Sequence, residues 1–189
     1  FVEPKGIYER NDAPVRELEG LTQQTGFIGR PFDPLVEMDE NGVVIVVDTQ
    51  MGQKTGYFLD QTDNRLAVRA FCRGKTVLDA FSYSGGFGLS AALAEAERVV
   101  CVDVSDAALD LARAAATKNG LTGRMTFRAA NVFDVLREFE AQNLRFDVVM
   151  LDPPAFARSR KMLDRAIAGY KEINLRAMKI VKDGGFVCT

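Results

Sequence analysis

The sequence predicts an α/β fold, in which an open parallel sheet is covered by helices and follows a small, mostly β subdomain. From about residue 60 onward, short apolar strands alternate with helices, a pattern typical of a parallel sheet covered on both faces. Residues 1–58 instead combine Pro, Gly and acidic residues with short candidate strands. Hydrophobic residues make up 47% of the 189 positions, enough for a sizeable core. We therefore predict two units, residues 1–58 and 59–189.

The individual elements follow from periodicity, capping residues and turn signals. In the first unit the clearest strand covers residues 43–48, after the turn signal Asn41-Gly42. The second unit is predicted to open with a helix over residues 60–71, with Asp60 as its N-cap. Strands are then predicted at 76–80, 98–103, 125–130, 146–151 and from 185 onward. Helices are predicted between them at 86–96, 105–119, 132–142 and 160–181, and Ser105 is predicted to be the N-cap of the second of these. The last helix is expected to end at Asp183-Gly184-Gly185.

Composition excludes several classes of site. The chain has no histidine, which removes Ser–His and Cys–His pairs and imidazole metal ligands. Its three cysteines, Cys72, Cys101 and Cys188, are widely spaced and predict buried, reduced thiols rather than a disulfide framework or a zinc site. No apolar run reaches membrane-spanning length. We expect a cytoplasmic protein with no metal and no membrane partner. The oligomeric state stays open, with a homodimer as one option.

The first chemistry-bearing motif lies between the first strand and the helix that follows it. Its glycines allow close backbone approach, and the helix start offers free N–H groups to a ligand. A carboxylate here suits a ligand with an amino-bearing, cationic end, such as the methionine end of S-adenosyl-L-methionine. The residues expected to approach that cofactor are Asp79, Phe81, Ser82, Tyr83, Gly85 and Gly86. The alternatives are a plain glycine-rich turn or an NAD site at Gly86-x-Gly88-x-x-Ala91, although Gly86 stands too far beyond the strand for that fingerprint.

Two further strand ends carry candidate nucleoside contacts. Asp103 ends the second strand, where a carboxylate can accept hydrogen bonds from both ribose hydroxyls, and Val104 follows it. Asn131 follows the third strand and is a candidate to bind the edge of adenine, while Val132 or Phe133 packs on the ring. The alternatives are an acidic residue at a helix N-terminus for Asp103 and an ordinary helix start for Asn131.

The fourth motif, Asp152-Pro153-Pro154, follows the fourth strand. Two prolines cannot continue the strand and stiffen the loop, so Asp152 is held at the mouth of the cleft. There it can bind the amino or ring-nitrogen edge of a flat nucleobase. The alternative is a rigid turn with a helix-capping aspartate. All four motifs lie at strand ends, where open parallel sheets bind their ligands.

The segments 79–88, 151–156 and 169–174 resemble the bacterial large-subunit ribosomal RNA cytosine-C5 methyltransferases, and 7–10 and 52–61 look like that family's central-domain signatures. The resemblance implies a Rossmann-like class I methyltransferase sheet, with S-adenosyl-L-methionine as cofactor and RNA as partner. It implies that Asp152, Pro153 and Pro154 form the catalytic loop. Asp152 would hold the N3/N4 edge of cytosine while a cysteine thiolate adds to C6.

Further residues are candidates for contacts with the cofactor or with RNA. Lys54, Asp60 and Gln61 are expected near the methionine end of the cofactor or at the cleft rim, with a surface loop and a helix cap as alternatives. Arg158, Arg160 and Lys161, just after the Asp152 loop, are candidates for RNA phosphates, with a solvated helix face as the alternative.

The sequence departs from the resembled family at its ends. We expect the sequence to be a fragment without the family's N-terminal PUA domain, and the apolar run ending at Thr189 predicts a sheet truncated after its fifth strand. The expected nucleophilic cysteine would follow Thr189, so Cys188 is interpreted as a buried thiol. The alternatives left open are a methyltransferase acting on an exocyclic amine or a small molecule, an NAD-dependent dehydrogenase, and a non-catalytic RNA- or cofactor-binding fragment.

Overall fold

The computed structural model describes residues 3–157 and 159–189, so Arg158 lies outside the described residues. The strands in this part are β1 Ile7–Asn11, β2 Gln24–Ile28, β3 Leu35–Glu40, β4 Val43–Asp48, β5 Thr76–Ala80, β6 Arg98–Asp103, β7 Met125–Ala129, β8 Phe146–Leu151 and β9 Val181–Cys188. The α-helices are α1 Val15–Leu18, α2 Thr62–Val68, α3 Gly86–Leu93, α4 Asp106–Lys118, α5 Val132–Ala141 and α6 Leu163–Ile180. Short 3-10 turns cover Leu59–Gln61, Arg69–Phe71 and Arg160–Met162.

The central sheet has the order β7-β6-β5-β8-β9, with parallel pairing throughout. Successive residues of β5 point to opposite faces, so Val77 belongs to one apolar core and Leu78 to the other. Both side chains are fully buried. The predicted Rossmann-like parallel sheet covered on both faces is therefore confirmed. No helix among residues 3–157 and 159–189 is long and apolar enough to cross a membrane.

The chain order reverses at β5, and this position determines where a ligand can bind. From β5 the chain continues outward through β6 and β7, then returns to the opposite side of β5 with β8 and β9. The loops after β5 and β8 consequently diverge at the carboxyl edge of the sheet and leave a crevice between them.

The N-terminal part contains two antiparallel strand pairs, β1–β2 and β3–β4, which agrees with the predicted predominance of β structure in this part of the chain. Val43, Ile45 and Val47 of β4 belong to the same apolar core as α3 and α4. The Asn119 side chain after α4 accepts from Val44 N–H at 2.9 Å and donates to the Val44 carbonyl at 2.7 Å. The β3–β4 hairpin is thus packed directly on the helices of the sheet, and the domain boundary at residue 58 stays a prediction.

Two predicted helix ends are wrong. Asp60 does not cap α2, because it lies within the 3-10 turn Leu59–Gln61, and α2 begins at Thr62 without a side-chain cap. The last helix ends at Ile180 rather than at Asp183-Gly184-Gly185. β9 begins immediately, and residues 182–185 bulge opposite the single residue Asp147, between the pairs Phe146↔Val181 and Val148↔Phe186. Gly184, at φ 75°, permits this bulge because it adopts the left-handed conformation.

Candidate functional site

A cleft of about 530 Å³ opens at the carboxyl edge of the sheet, between the loops after β5 and β8. Twelve of the residues singled out from the sequence line it: Lys54, Asp60, Gln61, Phe81, Ser82, Tyr83, Gly86, Asp103, Val104, Asp152, Pro153 and Pro154. Asp79, Gly85, Asn131 and Val132 were also singled out and do not line it. Residues more than 90 positions apart in sequence therefore meet around one cavity, which is large enough for a nucleoside-sized ligand.

The floor of the cleft is the turn between β5 and α3, and its backbone is strained. Phe81 has φ 64° and Tyr83 has φ 48°, the left-handed region that aromatic residues rarely adopt. Between them, Ser82 is buried, and its Oγ is the one fully buried side-chain nitrogen or oxygen in residues 3–157 and 159–189 without a hydrogen-bond partner. Gly85, with φ 77°, then forms the N-cap of α3. Strain and an unsatisfied buried hydroxyl in one turn are features typical of a ligand-binding site.

Asp79 lies beneath this turn and is only 1% exposed. Its Oδ2 accepts a hydrogen bond from Gly88 N–H at 2.7 Å. Burial raises the pKa of Asp79 to about 7; the Gly88 N–H opposes this rise, and the negative charges of Asp152 and Asp103 add to it. A Cβ built on Gly88 would lie 2.5 Å from Cys101 Sγ and 3.0 Å from Asp79 Oδ2, so the close approach requires glycine. Asp79 therefore does not line the cleft; it influences the cleft by holding the start of α3 in place and by the charge of its carboxyl group.

Asp103 is half-buried at the end of β6, and both of its oxygens are engaged. Oδ2 accepts from Tyr83 N–H at 2.8 Å and Oδ1 accepts from Ser105 N–H at 2.9 Å. These bonds fix the carboxylate between the β5 and β6 loops while it still lines the cleft. Val104 beside it is 69% exposed, so an apolar side chain stands at the cleft rim ready to cover a ring. Ser105 caps α4 by accepting from Ala108 N–H, as predicted.

Asn131 and Val132 lie at the start of α5, outside the cleft lining. The Asn131 side chain accepts from Phe133 N–H at 2.9 Å and so caps the helix. Val132 is 1% exposed and packs in the core. The ordinary helix start, which the sequence left as the alternative, accounts for both side chains. A contact between adenine and this segment stays a prediction.

The loop with Asp152, Pro153 and Pro154 is anchored from behind by aromatic packing. The Phe156 ring lies 4.5 Å from that of Tyr170 and 5.7 Å from that of Phe133, measured between centroids. The pKa of Asp152 is raised by desolvation and by the negative charge of Asp60, and Arg65 opposes this rise. The loop thus presents a carboxyl group that retains a proton more readily than an ordinary aspartate.

The third wall of the cleft comes from the N-terminal part. Tyr83 Oη accepts from Gln53 N–H at 2.9 Å and donates to the Gly56 carbonyl at 3.2 Å, which joins segment 52–61 to the β5–α3 turn. Lys54, at φ 50°, places Nζ 4.8 Å from the centre of the Phe58 ring. Two of the segments that carried the resemblance therefore meet in the structure.

A buried ion pair behind this wall was missed by sequence reasoning. Arg65 Nε and Nη2 donate to the two Glu40 carboxylate oxygens at 2.7 and 2.8 Å, and both side chains are at most 7% exposed. Tyr57 Oη and Thr62 Oγ1 donate to the same carboxylate at 3.1 and 2.7 Å. Burial alone would raise the pKa of Glu40, but the hydrogen bonds from Arg65, Thr62 and Tyr57 outweigh it and lower that pKa. The available signal was the position of Arg65 three residues before Val68, on the inward face of the helix.

The predicted RNA contacts and the thiols lie elsewhere. Arg160 and Lys161 are exposed in the turn before α6 and do not line the cleft, so their role stays a prediction. Cys72 and Cys101 are fully buried, as predicted. Cys188 is partly buried in a second groove of about 410 Å³, and burial and the charge of Asp152 raise its pKa. Within the described residues no group of His, Cys, Asp and Glu side chains is arranged to hold a metal ion.

Comparisons with known proteins agree with this geometry. A family model described as S-adenosylmethionine-dependent methyltransferase matches residues 25–189. The chain is 48% identical over 186 residues to "Ribosomal RNA large subunit methyltransferase I" of Aeromonas salmonicida, covering 97% of this chain and 47% of that protein. It is 47% identical over 187 residues to the protein of the same name from Vibrio cholerae, with the same coverage of both chains. The chain thus spans about half the length of the curated relatives it matches.

Solved structures show the same fold. The crystal structure of the methyltransferase SMU.776 complexed with S-adenosylhomocysteine superposes with a TM-score of 0.72 at 27% identity, over 86% of this chain and 43% of that one. A methyltransferase from Agrobacterium tumefaciens gives a TM-score of 0.74 at 20% identity, over 92% of this chain and 60% of that one, and supports the fold alone. The family match removes the NAD-dependent dehydrogenase alternative. The chain belongs to the family of S-adenosylmethionine-dependent methyltransferases, and S-adenosylmethionine is its cofactor.

Proposed function

We propose that this chain is the catalytic region of a methyltransferase that acts on C5 of a cytosine in large-subunit ribosomal RNA. The observation that carries the proposal is the convergence of the Asp103 loop and the Asp152 loop on one cleft. The first suits a nucleoside cofactor and the second a nucleobase acceptor. The relatives from Aeromonas salmonicida and Vibrio cholerae, named as ribosomal RNA large subunit methyltransferases, support RNA as the substrate class. Such an enzyme would work in the cytoplasm.

The residues of the cleft fit S-adenosylmethionine. Asp103 is fixed at the end of β6, where a carboxylate can accept from ribose hydroxyls, and exposed Val104 can cover the adenine. The Ser82 hydroxyl, in the turn that forms the floor of the cleft, has no hydrogen-bond partner within residues 3–157 and 159–189. The carboxylates of Asp60 and Asp152 give the cleft the negative charge that an ammonium and a sulfonium require. When bound, the cofactor supplies an electrophilic methyl group.

The acceptor base has a groove of its own beside the cofactor cleft. This second groove, of about 410 Å³, shares Gln61, Phe87 and Asp152 with the cofactor cleft. A base in this groove would meet Asp152, while Pro153 and the Phe156–Tyr170 packing keep the loop rigid. Because its pKa is raised, Asp152 is suited to share a proton with N3 of cytosine and to accept from the N4 amino group.

C5 of cytosine is a weak nucleophile, so the reaction needs a thiolate that adds to C6 and leaves again after a base has removed the C5 proton. The three cysteines of this chain do not suit that role, because burial raises the pKa of each thiol. We assign the nucleophile to a cysteine of the full-length protein outside these 189 residues.

The test is a methyl-transfer assay with the full-length protein, labelled cofactor and unmodified large-subunit ribosomal RNA, followed by nucleoside mass spectrometry. We expect 5-methylcytidine, and we expect Asp152→Ala to lower the rate by at least about a hundredfold. Asp164→Asn, at an exposed carboxylate of α6, should leave it unchanged. Methylation of an exocyclic amine, or of a small molecule in place of RNA, would contradict the proposal and favour the alternatives.

A further inference from the structure

Gln61 and Asn64 form a pair of side-chain amides beside the groove of about 410 Å³ proposed for the acceptor base, here called the acceptor groove. Gln61 ends the 3-10 turn Leu59–Gln61, and Asn64 lies three residues later in α2. Asn64 Nδ2 donates to Gln61 Oε1 at 2.7 Å. Both residues line the acceptor groove, and Gln61 also lines the cofactor cleft. The pair therefore lies where the two cavities meet.

The hydrogen bond between the two amides leaves part of Gln61 unused. Its Oε1 accepts from Asn64, whereas its Nε2 group has no hydrogen-bond partner within residues 3–157 and 159–189. The carboxylates of Asp60 and Asp152 favour this orientation of the amide, because negative charge attracts an NH2 group and repels a carbonyl oxygen. Asn64 thus holds the Gln61 side chain by its oxygen, and the NH2 group remains available to donate to a ligand.

Asp152 shares this position at the junction of the two cavities. Like Gln61, it lines both the acceptor groove and the cofactor cleft. Asp60, the neighbour of Gln61 in the chain, is close enough for its charge to raise the pKa of Asp152. The turn that carries Gln61 and the loop that carries Asp152 therefore border the same space, and a base bound there would have a polar group from each at its edge.

The rest of the acceptor groove suits the faces of a base. Its apolar lining includes three phenylalanines, and flat apolar walls are favourable for a nucleobase ring. Within the described residues, the strongly polar side chains that line it are Gln61, Asn64, Asp152 and Thr189. Hydrogen-bonding groups are thus concentrated at few positions, and the edge of a bound base must use them.

The Watson–Crick edge of cytosine presents three groups in a row: the N4 amino group, which donates, and N3 and O2, which accept. A base taken out of its stack is recognised by hydrogen bonds to this edge. In the proposed function Asp152 meets N4 and N3, so O2 remains. It requires a donor, since a carbonyl oxygen that loses its water without gaining a partner weakens binding.

We propose that the NH2 group of Gln61 donates a hydrogen bond to O2 of the acceptor cytosine, and that Asn64 positions Gln61 for this contact. Gln61 is then a specificity-determining residue for the acceptor base. The inference rests on the proposed function and deepens it, since it requires a cytosine to be bound beside Asp152. The contact between Gln61 and the cofactor, expected from the sequence, is the alternative.

The test uses the full-length protein and an RNA fragment that contains the cytidine mapped by the nucleoside assay. A second RNA carries 2-thiocytidine at that position, where sulfur replaces O2 and accepts hydrogen bonds more weakly. The wild-type protein should methylate the first RNA with a kcat/KM at least about fivefold higher, as expected for one weakened hydrogen bond. The Gln61→Met variant should lose about tenfold in kcat/KM on the cytidine RNA and should methylate both RNAs equally well, because it offers no donor to either atom.

Two further variants test the positioning role and provide a control. Asn64→Ala releases the Gln61 side chain, so the variant should discriminate less between the two RNAs than the wild type does. Asp63→Asn changes an exposed carboxylate of α2 outside both cavities and should leave the discrimination unchanged.

Three results would overturn the inference. The wild type could methylate both RNAs equally well, or the discrimination could persist in Gln61→Met, which would make it an effect of the larger sulfur atom. S-adenosylhomocysteine should bind to Gln61→Met as tightly as to the wild type, and a weakening as large as the loss of kcat/KM would place Gln61 at the cofactor instead. If the wild type forms no 5-methylcytidine at all, the proposed function itself fails.

Discussion

The buried Glu40–Arg65 pair should be one of the largest single contributions to the attachment of the β3–β4 hairpin. Glu40 accepts four hydrogen bonds, two from Arg65, one from Tyr57 and one from Thr62, and is 7% exposed. Glu40→Ala would leave a buried guanidinium without its counter-charge and remove all four bonds at once. Breaking one partner of a buried pair costs about 3–5 kcal/mol, and we expect a loss in that range.

The assay is urea unfolding with linear extrapolation, in which the midpoint should fall while the slope is retained. Asp110→Ala is the matched control, because the Arg113–Asp110 pair has a similar length of 2.6 Å but side chains 40% and 69% exposed, and exposed pairs contribute little. Glu40→Met combined with Arg65→Met should recover much of the lost stability, since no charge is then left unpaired. A Glu40→Ala variant as stable as Asp110→Ala would refute the reasoning.

Three further results are expected. Between pH 4 and 7 folded Asp79 retains a proton that the unfolded chain loses, so the free energy of unfolding should fall as pH rises through this window and level off above about pH 7. Urea unfolding at several pH values measures this dependence, which the Asp79→Asn variant should lack. Gly88→Ala should lower both thermal stability and cofactor affinity, because its Cβ would meet Cys101 Sγ at 2.5 Å; unchanged values of both would contradict the packing described. Asn119→Ala should destabilise the protein by about 1–3 kcal/mol, because it leaves both backbone groups of Val44 without their partners, and hydrogen exchange at Val44 should accelerate.

The parallel sheet was predictable because its strands are short apolar runs bounded by clear turn signals. Residues 98–103 and 146–151 were assigned without error, and Ser105 was identified as the cap of α4. The end of α6 was not predictable in the same way, because Gly184 lies in a bulge inside β9 and does not terminate the helix. That choice depends on pairing with β8, which is a tertiary interaction that local propensity does not report.

The cleft was predictable to the extent that its residues follow strands. Asp103, Asp152 and the β5–α3 turn were found because the carboxyl ends of parallel strands meet at one edge. Arg65 and Glu40 were not found, since they lie in a helix and a hairpin and are joined only by the packing of the N-terminal part on the sheet. Asn131 was assigned to the cofactor from its place after a strand. Its side chain caps α5, and the contact with the cofactor stays a prediction.

The central claim is that the cofactor occupies the cleft between β5 and β8, and a calorimetric titration with S-adenosylhomocysteine tests it most directly. The wild-type protein should show saturable binding, and Asp103→Asn should weaken it by at least about tenfold, because the ribose loses a charged acceptor. Asp106 is an exposed carboxylate three positions further along the chain, so the Asp106→Asn variant should bind S-adenosylhomocysteine as tightly as the wild type. Binding that is equally tight in Asp103→Asn, or absent from the folded wild-type protein, would contradict the account.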